Sequence, residues 1–154
     1  MNFRLVSVDL DQAHDRSQWQ ELLAQRADAL LQSLLVLKNH VIVEEVSDAT
    51  QRLRVLPLRD GDSFNIGADE AAYVAELGAN ALSDTATLRY VYSSPTTPPT
   101  TYDINLISGE KVERKQEFAG TEFDSKKYQA TRLNITARDG TEVPVTLLHR
   151  HGVE

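Results

Sequence analysis

The histidines are the residues of this sequence best suited to acid–base or metal chemistry. His149 and His151 are two residues apart, so on a β-strand both side chains would face one side and could bind one metal ion. A metal site needs a third ligand, and the surrounding sequence does not supply one. We therefore interpret both, like His40 in its predicted turn, as solvated surface residues, and we predict no metal ligand.

Acidic pairs are the second set of candidates for chemistry. Neighbouring residues on a strand point to opposite faces, so Glu44 and Glu45 do not form a catalytic pair. Asp60 and Asp62 could begin a calcium-binding loop, but apolar residues occupy the next ligand positions, which favours a plain turn. A further acidic pair is Asp69–Glu70.

The sequence contains no recognisable nucleophile or phosphate-binding motif. No serine lies in a Gly-x-Ser-x-Gly context, and neither the P-loop nor the dinucleotide-binding glycine pattern occurs. The chain has 7 glycines, spread over predicted turns, and no cysteine, which excludes disulfides and thiolate chemistry. We predict no catalytic, cofactor-binding or metal-binding residue within the chain, and no cofactor.

Composition limits the class of protein. The chain has 154 residues, of which 41% are hydrophobic and 25% charged, as in a globular domain. A net charge of -7 argues against nucleic acid or an anionic membrane as a partner. No signal peptide and no apolar run of membrane-spanning length are visible, so we expect a soluble, cytoplasmic protein.

The stretch Leu88–Asp103 shows the clearest secondary-structure pattern. Apolar and polar residues alternate from Leu88 to Ser93, which predicts a strand. Three prolines within the crossing 94–100 exclude a central strand there, because proline lacks an N–H and fixes φ. The β pattern resumes at Thr101, so the stretch is predicted to be strand, crossing and strand.

The region 17–46 is ambiguous between helix and strand. Leucines recur at helical spacing from Trp19 to Leu37, whereas the composition becomes β-branched after Leu34 and Lys38–His40 is a turn signal. We therefore predict one short helix near 17–25, with Ser17 as its N-cap, followed by strands at 31–37 and 41–46.

The rest of the chain is predicted to be short strands with regular turns. We place them at 3–10, 51–56, 64–67, 73–77, 88–93, 101–106, 111–118, 128–137 and 142–149. Such a series indicates a mainly β, antiparallel fold, namely a sandwich, barrel or propeller. Residues 31–77 and 88–118 can be grouped as two propeller blades.

Several segments resemble the prolyl oligopeptidase family of serine peptidases, and its oligopeptidase B branch in particular. They are Leu77–Asn80, Asp84–Ser94 and Thr97–Pro98 with Tyr102, which are similar to the last blade of that family's seven-bladed β-propeller. Phe123–Tyr128, Thr136–Val145 and Leu147–Arg150 are similar to the segment that enters its α/β-hydrolase catalytic domain. The resemblance extends over essentially the whole chain.

The resemblance implies a partial propeller at 1–120, followed at 121–154 by the hinge and a hairpin that begins the catalytic domain. It implies a fragment of a serine oligopeptidase that cleaves short peptides after basic residues, with the propeller gating substrate access. The family's catalytic serine, aspartate and histidine would lie beyond Glu154, so we expect the chain alone to be inactive. Tyr90, Tyr92 and Tyr102 are then packing residues.

An alternative function is a non-catalytic β module. Incomplete blades leave open sheet edges, which can pair with another chain. The expected partners are therefore peptides in the full-length context, a second copy, or a separate catalytic domain. On either interpretation we expect marginal folding or self-association.

Overall fold

The computed structural model describes residues 2–67, 70–120 and 123–153, and strands dominate these ranges. In chain order the strands are β1 Leu5–Ser7, β2 Gln20–Leu23, β3 Ala29–Val36, β4 His40–Ser47, β5 Thr50–Pro57, β6 Phe64–Ile66, β7 Val74–Leu77, β8 Thr87–Ser93, β9 Thr100–Asn105, β10 Lys111–Gln116, β11 Tyr128–Thr136 and β12 Glu142–Arg150. Within these ranges, short 3-10 helices lie at Leu10–Gln12, Arg16–Gln18 and Ser125–Lys127. The predicted mainly β class is confirmed.

Two four-stranded antiparallel units make up the large sheet, and we call them the first blade (β3–β6) and the second blade (β7–β10). The prediction that residues 31–77 form one blade is wrong for its last strand, β7, which belongs to the second blade. Leu53 pairs with Ile66, so β6 completes the first blade. Strand β7 instead pairs along its length with β8, from Val74↔Ser93 onward. One parallel pair, Gln51↔Val74, joins the two blades.

The predicted helix near 17–25 is also wrong. Residues Gln20–Leu23 form β2, which pairs antiparallel with β1, so their backbone groups bond across to another strand instead of along a helix. A 3-10 turn at Arg16–Gln18 immediately precedes them, and Asp15, not the predicted Ser17, is its N-cap, accepting from the backbone N–H of Ser17 at 2.9 Å. The division of the leucine-rich region into strands β3 and β4 is confirmed.

The hydrophobic core is formed by facing residues of the two blades. Strand β5 alternates, so Leu53 and Val55 are fully buried whereas Arg52 and Arg54 lie on the opposite face. Leu88 of the second blade is likewise 0% exposed. Burying each such aliphatic side chain contributes about 1.5–3 kcal/mol, so the core that the two blades share stabilises the fold.

The hairpin β11–β12 follows the blades. Its register runs without interruption from Tyr128↔Arg150 to Thr136↔Glu142. Gly140 in the connecting turn has φ 84°, a left-handed conformation that glycine adopts without steric cost, as the Asp-Gly signal predicts. Within the described ranges no helix is long and apolar enough to cross a bilayer.

Candidate functional site

Several loops converge at one end of the two blades, where the chain leaves β10. The pairs Gln51↔Val74 and Val74↔Ser93 bring the starts of β5 and β7 beside the end of β8. The backbone N–H of Glu117 donates to the carbonyl of Pro99 at 2.8 Å, which fixes the exit of the chain against the proline-rich crossing. We refer to this end of the blades as the exit end.

Glu70 is the polar centre of the exit end. Its carboxylate accepts hydrogen bonds from Tyr92 Oη at 2.9 Å, Thr96 Oγ1 at 2.7 Å and Thr97 Oγ1 at 2.7 Å. Ser94 Oγ is a fourth donor. Partial burial alone raises the pKa of Glu70, but the four hydroxyl donors outweigh it and lower the pKa below its ordinary value. Glu70 therefore stays ionised at neutral pH and holds the crossing in place.

Tyrosines surround this carboxylate. The rings of Tyr73 and Tyr92 lie 5.6 Å apart, those of Tyr90 and Tyr102 5.5 Å apart, and Lys111 Nζ is 4.7 Å from the Tyr102 ring centroid. Burial raises the pKa of Tyr90 to about 12 and that of Tyr92 further still. Tyr90 and Tyr92 belong to the hydrophobic core and Tyr102 packs against it, and the raised pKa values keep the Tyr90 and Tyr92 phenols protonated at neutral pH. The prediction that they are packing residues is confirmed.

A second charged cluster lies on the outer face of the second blade. Asp103 accepts two hydrogen bonds from Arg89, at 2.7 and 2.9 Å, and one from Arg114 at 2.8 Å. These donors lower the pKa of Asp103 from 3.8 to about 2. The cluster ties β8, β9 and β10 together, so its role is structural.

Arg132 of β11 reaches the exit end from the hairpin. Its Nη1 donates to Thr50 Oγ1 at 2.5 Å, and its Nη2 lies 3.2 Å from Asp48 Oδ1. The second pair is an ionic contact without aligned hydrogen-bond geometry. A blade turn and a strand of the hairpin are thereby joined across 82 residues of sequence.

The structure does not bring the histidines together into a site. His151 is exposed and His149 is half-buried, and His149 Nε2 lies 3.1 Å from the Gln129 amide nitrogen. His40 is not solvated as predicted, because it begins β4 and is only 8% exposed. Burial lowers its pKa, and its Nδ1 has no hydrogen-bond partner. Among the described residues no cluster of three His, Asp or Glu side chains could hold a metal ion.

The acidic candidates have separate structural roles. Glu44 accepts the Leu77 N–H at 2.6 Å, whereas Glu45 is buried and contacts Arg52 and Arg54 at 2.7 and 3.0 Å, on the opposite face. The Asp60–Asp62 segment is an exposed turn.

Of the pair Asp69–Glu70, Asp69 lies outside the described residues. Sequence reasoning noted Glu70 but missed its partners. The density of hydroxyl residues in Ser94–Thr97 was the available signal.

Comparison with known proteins gives a consistent result. Residues 1–117 match the family model described as prolyl oligopeptidase, N-terminal beta-propeller domain. The chain is 39% identical over 153 residues to dipeptidyl aminopeptidase BI of Pseudoxanthomonas mexicana, covering 99% of this chain and 21% of that protein. It is 25% identical over 152 residues to protease 2 of Moraxella lacunata, again covering 99% of this chain and 21% of the relative.

Solved structures show the same fold. An oligopeptidase B from Trypanosoma brucei with covalently bound antipain superposes with a TM-score of 0.82 at 24% identity, over 99% of this chain and 22% of that one. Oligopeptidase B from Leishmania major gives a TM-score of 0.80 at 20% identity, over 98% of this chain and 22% of that one. The chain thus spans about a fifth of the length of the curated relatives it matches.

Proposed function

Because the chain belongs to the prolyl oligopeptidase family, we propose that it provides the last two propeller blades and the first catalytic-domain strands of a serine-type oligopeptidase. In this role the blades gate the access of short peptides to a catalytic centre. The observation that carries the proposal is the element order, in which two four-stranded blades are followed directly by a long two-stranded hairpin.

We assign peptide hydrolysis to the complete enzyme and not to these residues. Acyl transfer by a serine peptidase needs an activated serine, a histidine base and an oxyanion hole. The sequence has no Gly-x-Ser-x-Gly motif. At the exit end, the Glu70 carboxylate is ionised and already accepts hydrogen bonds from hydroxyl groups, and the Tyr90 phenol stays protonated. The 154-residue chain is therefore expected to be inactive.

For the complete enzyme we propose cleavage after basic residues, as in the oligopeptidase B branch. The support is the resemblance of Asp84–Ser94 and the fold shared with oligopeptidase B. The most similar relative described above is named a dipeptidyl aminopeptidase, so removal of N-terminal dipeptides is the competing specificity.

The proposal requires a longer gene product, and the test compares this chain with that product. Both are assayed on an N-blocked peptide ending in Arg-p-nitroanilide and on a free dipeptidyl-p-nitroanilide. We expect no hydrolysis by the chain, and cleavage of the blocked Arg substrate by the longer product. Hydrolysis by the repurified chain would overturn the inactive role. Exclusive cleavage of the unblocked substrate would instead favour the dipeptidyl specificity. A downstream frame without Gly-x-Ser-x-Gly would contradict the proposal as a whole.

A β interaction module is the alternative, and the two sheet edges differ in how well they support it. Edge strand β10 is exposed and carries charges at Lys111, Glu113, Arg114 and Lys115, which discourage pairing. Edge strand β3 exposes Leu34 at 50% and Val36 at 53%, which favours pairing with a second chain. Sedimentation velocity of the chain and of Leu34→Lys tests this. A dimer that dissociates in the variant supports the module, and a folded monomer in both contradicts it.

A further inference from the structure

The turn between β4 and β5 has an unusual backbone. Ser47 pairs with Thr50, so the turn contains only two residues, and both have positive φ, 51° for Asp48 and 49° for Ala49. This left-handed geometry suits the twist of a two-residue hairpin and is usually supplied by Asn-Gly or Asp-Gly. Alanine adopts it at a steric cost, because Cβ approaches the neighbouring carbonyl. Strain that persists at one position is an indication of a role for that position.

The strained turn presents two groups to a single arginine. Asp48 directs its carboxylate and Thr50 its hydroxyl toward Arg132, at 3.2 and 2.5 Å. The Arg132 side chain is 17% exposed, whereas that of Asp48 is 70% exposed. The arginine is thus largely covered, while its counter-ion remains open to water and salt.

Asp48 is the carboxylate that pairs with Arg132, because the neighbouring Glu45 already has other partners. Arg52 and Arg54 follow Thr50 on the same face of β5, since alternate residues of a strand share a face. Both contact the buried Glu45, which is therefore already occupied. Within the described ranges, every hydrogen bond and ion pair between the hairpin and the blades comes from Arg132.

We propose that Arg132, Asp48 and Thr50 form a releasable clasp that fixes the hairpin β11–β12 against the first blade. The Thr50 hydrogen bond orients the guanidinium, and the exposed ion pair makes the clasp sensitive to salt. At 1 M ionic strength the screening length falls to about 3 Å, so the ion pair is weakened while the backbone pairing of each sheet is kept. This inference does not depend on peptidase activity.

The absence of cysteine makes the clasp directly measurable. Spin labels placed on Asp62→Cys in the first blade and Asn134→Cys in the hairpin report their separation by pulsed electron resonance. We expect one narrow distance distribution for the otherwise unaltered chain at 0.1 M salt. In Arg132→Gln we expect the displaced population to grow roughly three- to tenfold, because an ion pair and a charged hydrogen bond are both lost. At 1 M salt the parent should shift part of the way toward the variant, because the ion pair is screened while the Thr50 hydrogen bond is kept.

Matched variants separate the clasp from a general loss of charge or fold. Arg138→Gln removes the same charge from the exposed end of the hairpin and should leave the distribution unchanged. Asp48→Asn keeps a residue that tolerates positive φ and should broaden the distribution. Adding Arg132→Gln to it then removes only the Thr50 hydrogen bond, so it should broaden the distribution less than Arg132→Gln broadens that of the parent. Additive effects of the two substitutions, or a distribution in Arg132→Gln identical to that of the parent, would overturn the clasp. Circular dichroism confirms that each variant is folded.

Discussion

Replacing Asp103 with Asn should lower the free energy of unfolding by about 2 kcal/mol at neutral pH. Hydrogen bonds from Arg89 and then Arg114 lower the pKa of Asp103 from 3.8 to about 2. Each pKa unit corresponds to about 1.4 kcal/mol. The Asp103 side chain is only 9% exposed, but those of Arg89 and Arg114 are 44% and 53% exposed, so solvent screening reduces the full effect to about 2 kcal/mol. The asparagine also leaves the two guanidinium groups without a counter-charge on this face.

The pH dependence fixes the sign of this effect. The folded-state pKa lies below the unfolded value, so the stabilisation is complete above about pH 5 and is lost as the pH falls through 4 toward 2. The deficit of Asp103→Asn should therefore shrink to roughly half by pH 3 and nearly vanish at pH 2.

Urea denaturation followed by tryptophan fluorescence at pH 7 and pH 3 measures both quantities. Asp62→Asn, in an exposed turn of the first blade, is the matched control and should change the free energy of unfolding by less than about 0.5 kcal/mol. A deficit below about 0.5 kcal/mol for Asp103→Asn at pH 7, or one that is the same at both pH values, would refute the reasoning.

Three further predictions concern the core, the exit end and the buried histidine. Leu88→Ala should cost about 2–5 kcal/mol in urea denaturation, because the side chain is 0% exposed, whereas Leu82→Ala at 73% exposure should cost little. Glu70→Gln places an amide donor against four hydroxyl donors, so amide hydrogen exchange in residues 94–97 should accelerate. Glu76→Gln, at an exposed position of β7, is the control. Unchanged exchange in Glu70→Gln would contradict the role of Glu70 as the anchor of this segment. Burial lowers the pKa of His40 below 6.5, so the free energy of unfolding should fall as the pH drops below 6.5 and the buried imidazole must take up a proton. His40→Gln should lose less stability than the parent between pH 7.5 and 5.5. An equal loss of stability in both proteins would assign the pH dependence to other groups.

Local patterns predicted most of the strands. Alternation at Leu88–Ser93 predicted strand β8, and the turn signal at Lys38–His40 predicted where β3 ends and β4 begins. Both signals are short-range preferences, and the structure follows them. Asp-Gly at 139–140 gave the hairpin turn for the same reason. The prediction of a helix near 17–25 was wrong although the leucine spacing is helical. Pairing with β1, a non-local interaction, supplies the backbone hydrogen bonds of Gln20–Leu23 instead.

Non-local contacts account for the other differences. The blade boundary depended on whether β7 pairs with β5 or β8, and strand pairing is not encoded within one strand. His40 was expected to be solvated because it belongs to a turn signal, but the pairing of β4 with β5 places it opposite Pro57 and buries it.

The sequence by itself determined the mainly β class, the strand series, and the motifs that link Asp84–Ser94 and Thr136–Val145 to the prolyl oligopeptidase family, because these depend on residue type and short-range order. Only the tertiary structure decided which polar groups meet. Glu70 gathers hydroxyls from residues more than twenty positions away, and Arg132 meets Thr50 across 82 residues. Such contacts arise when separate strands pack against each other, and the spacing of residues along the sequence does not show which distant residues will meet.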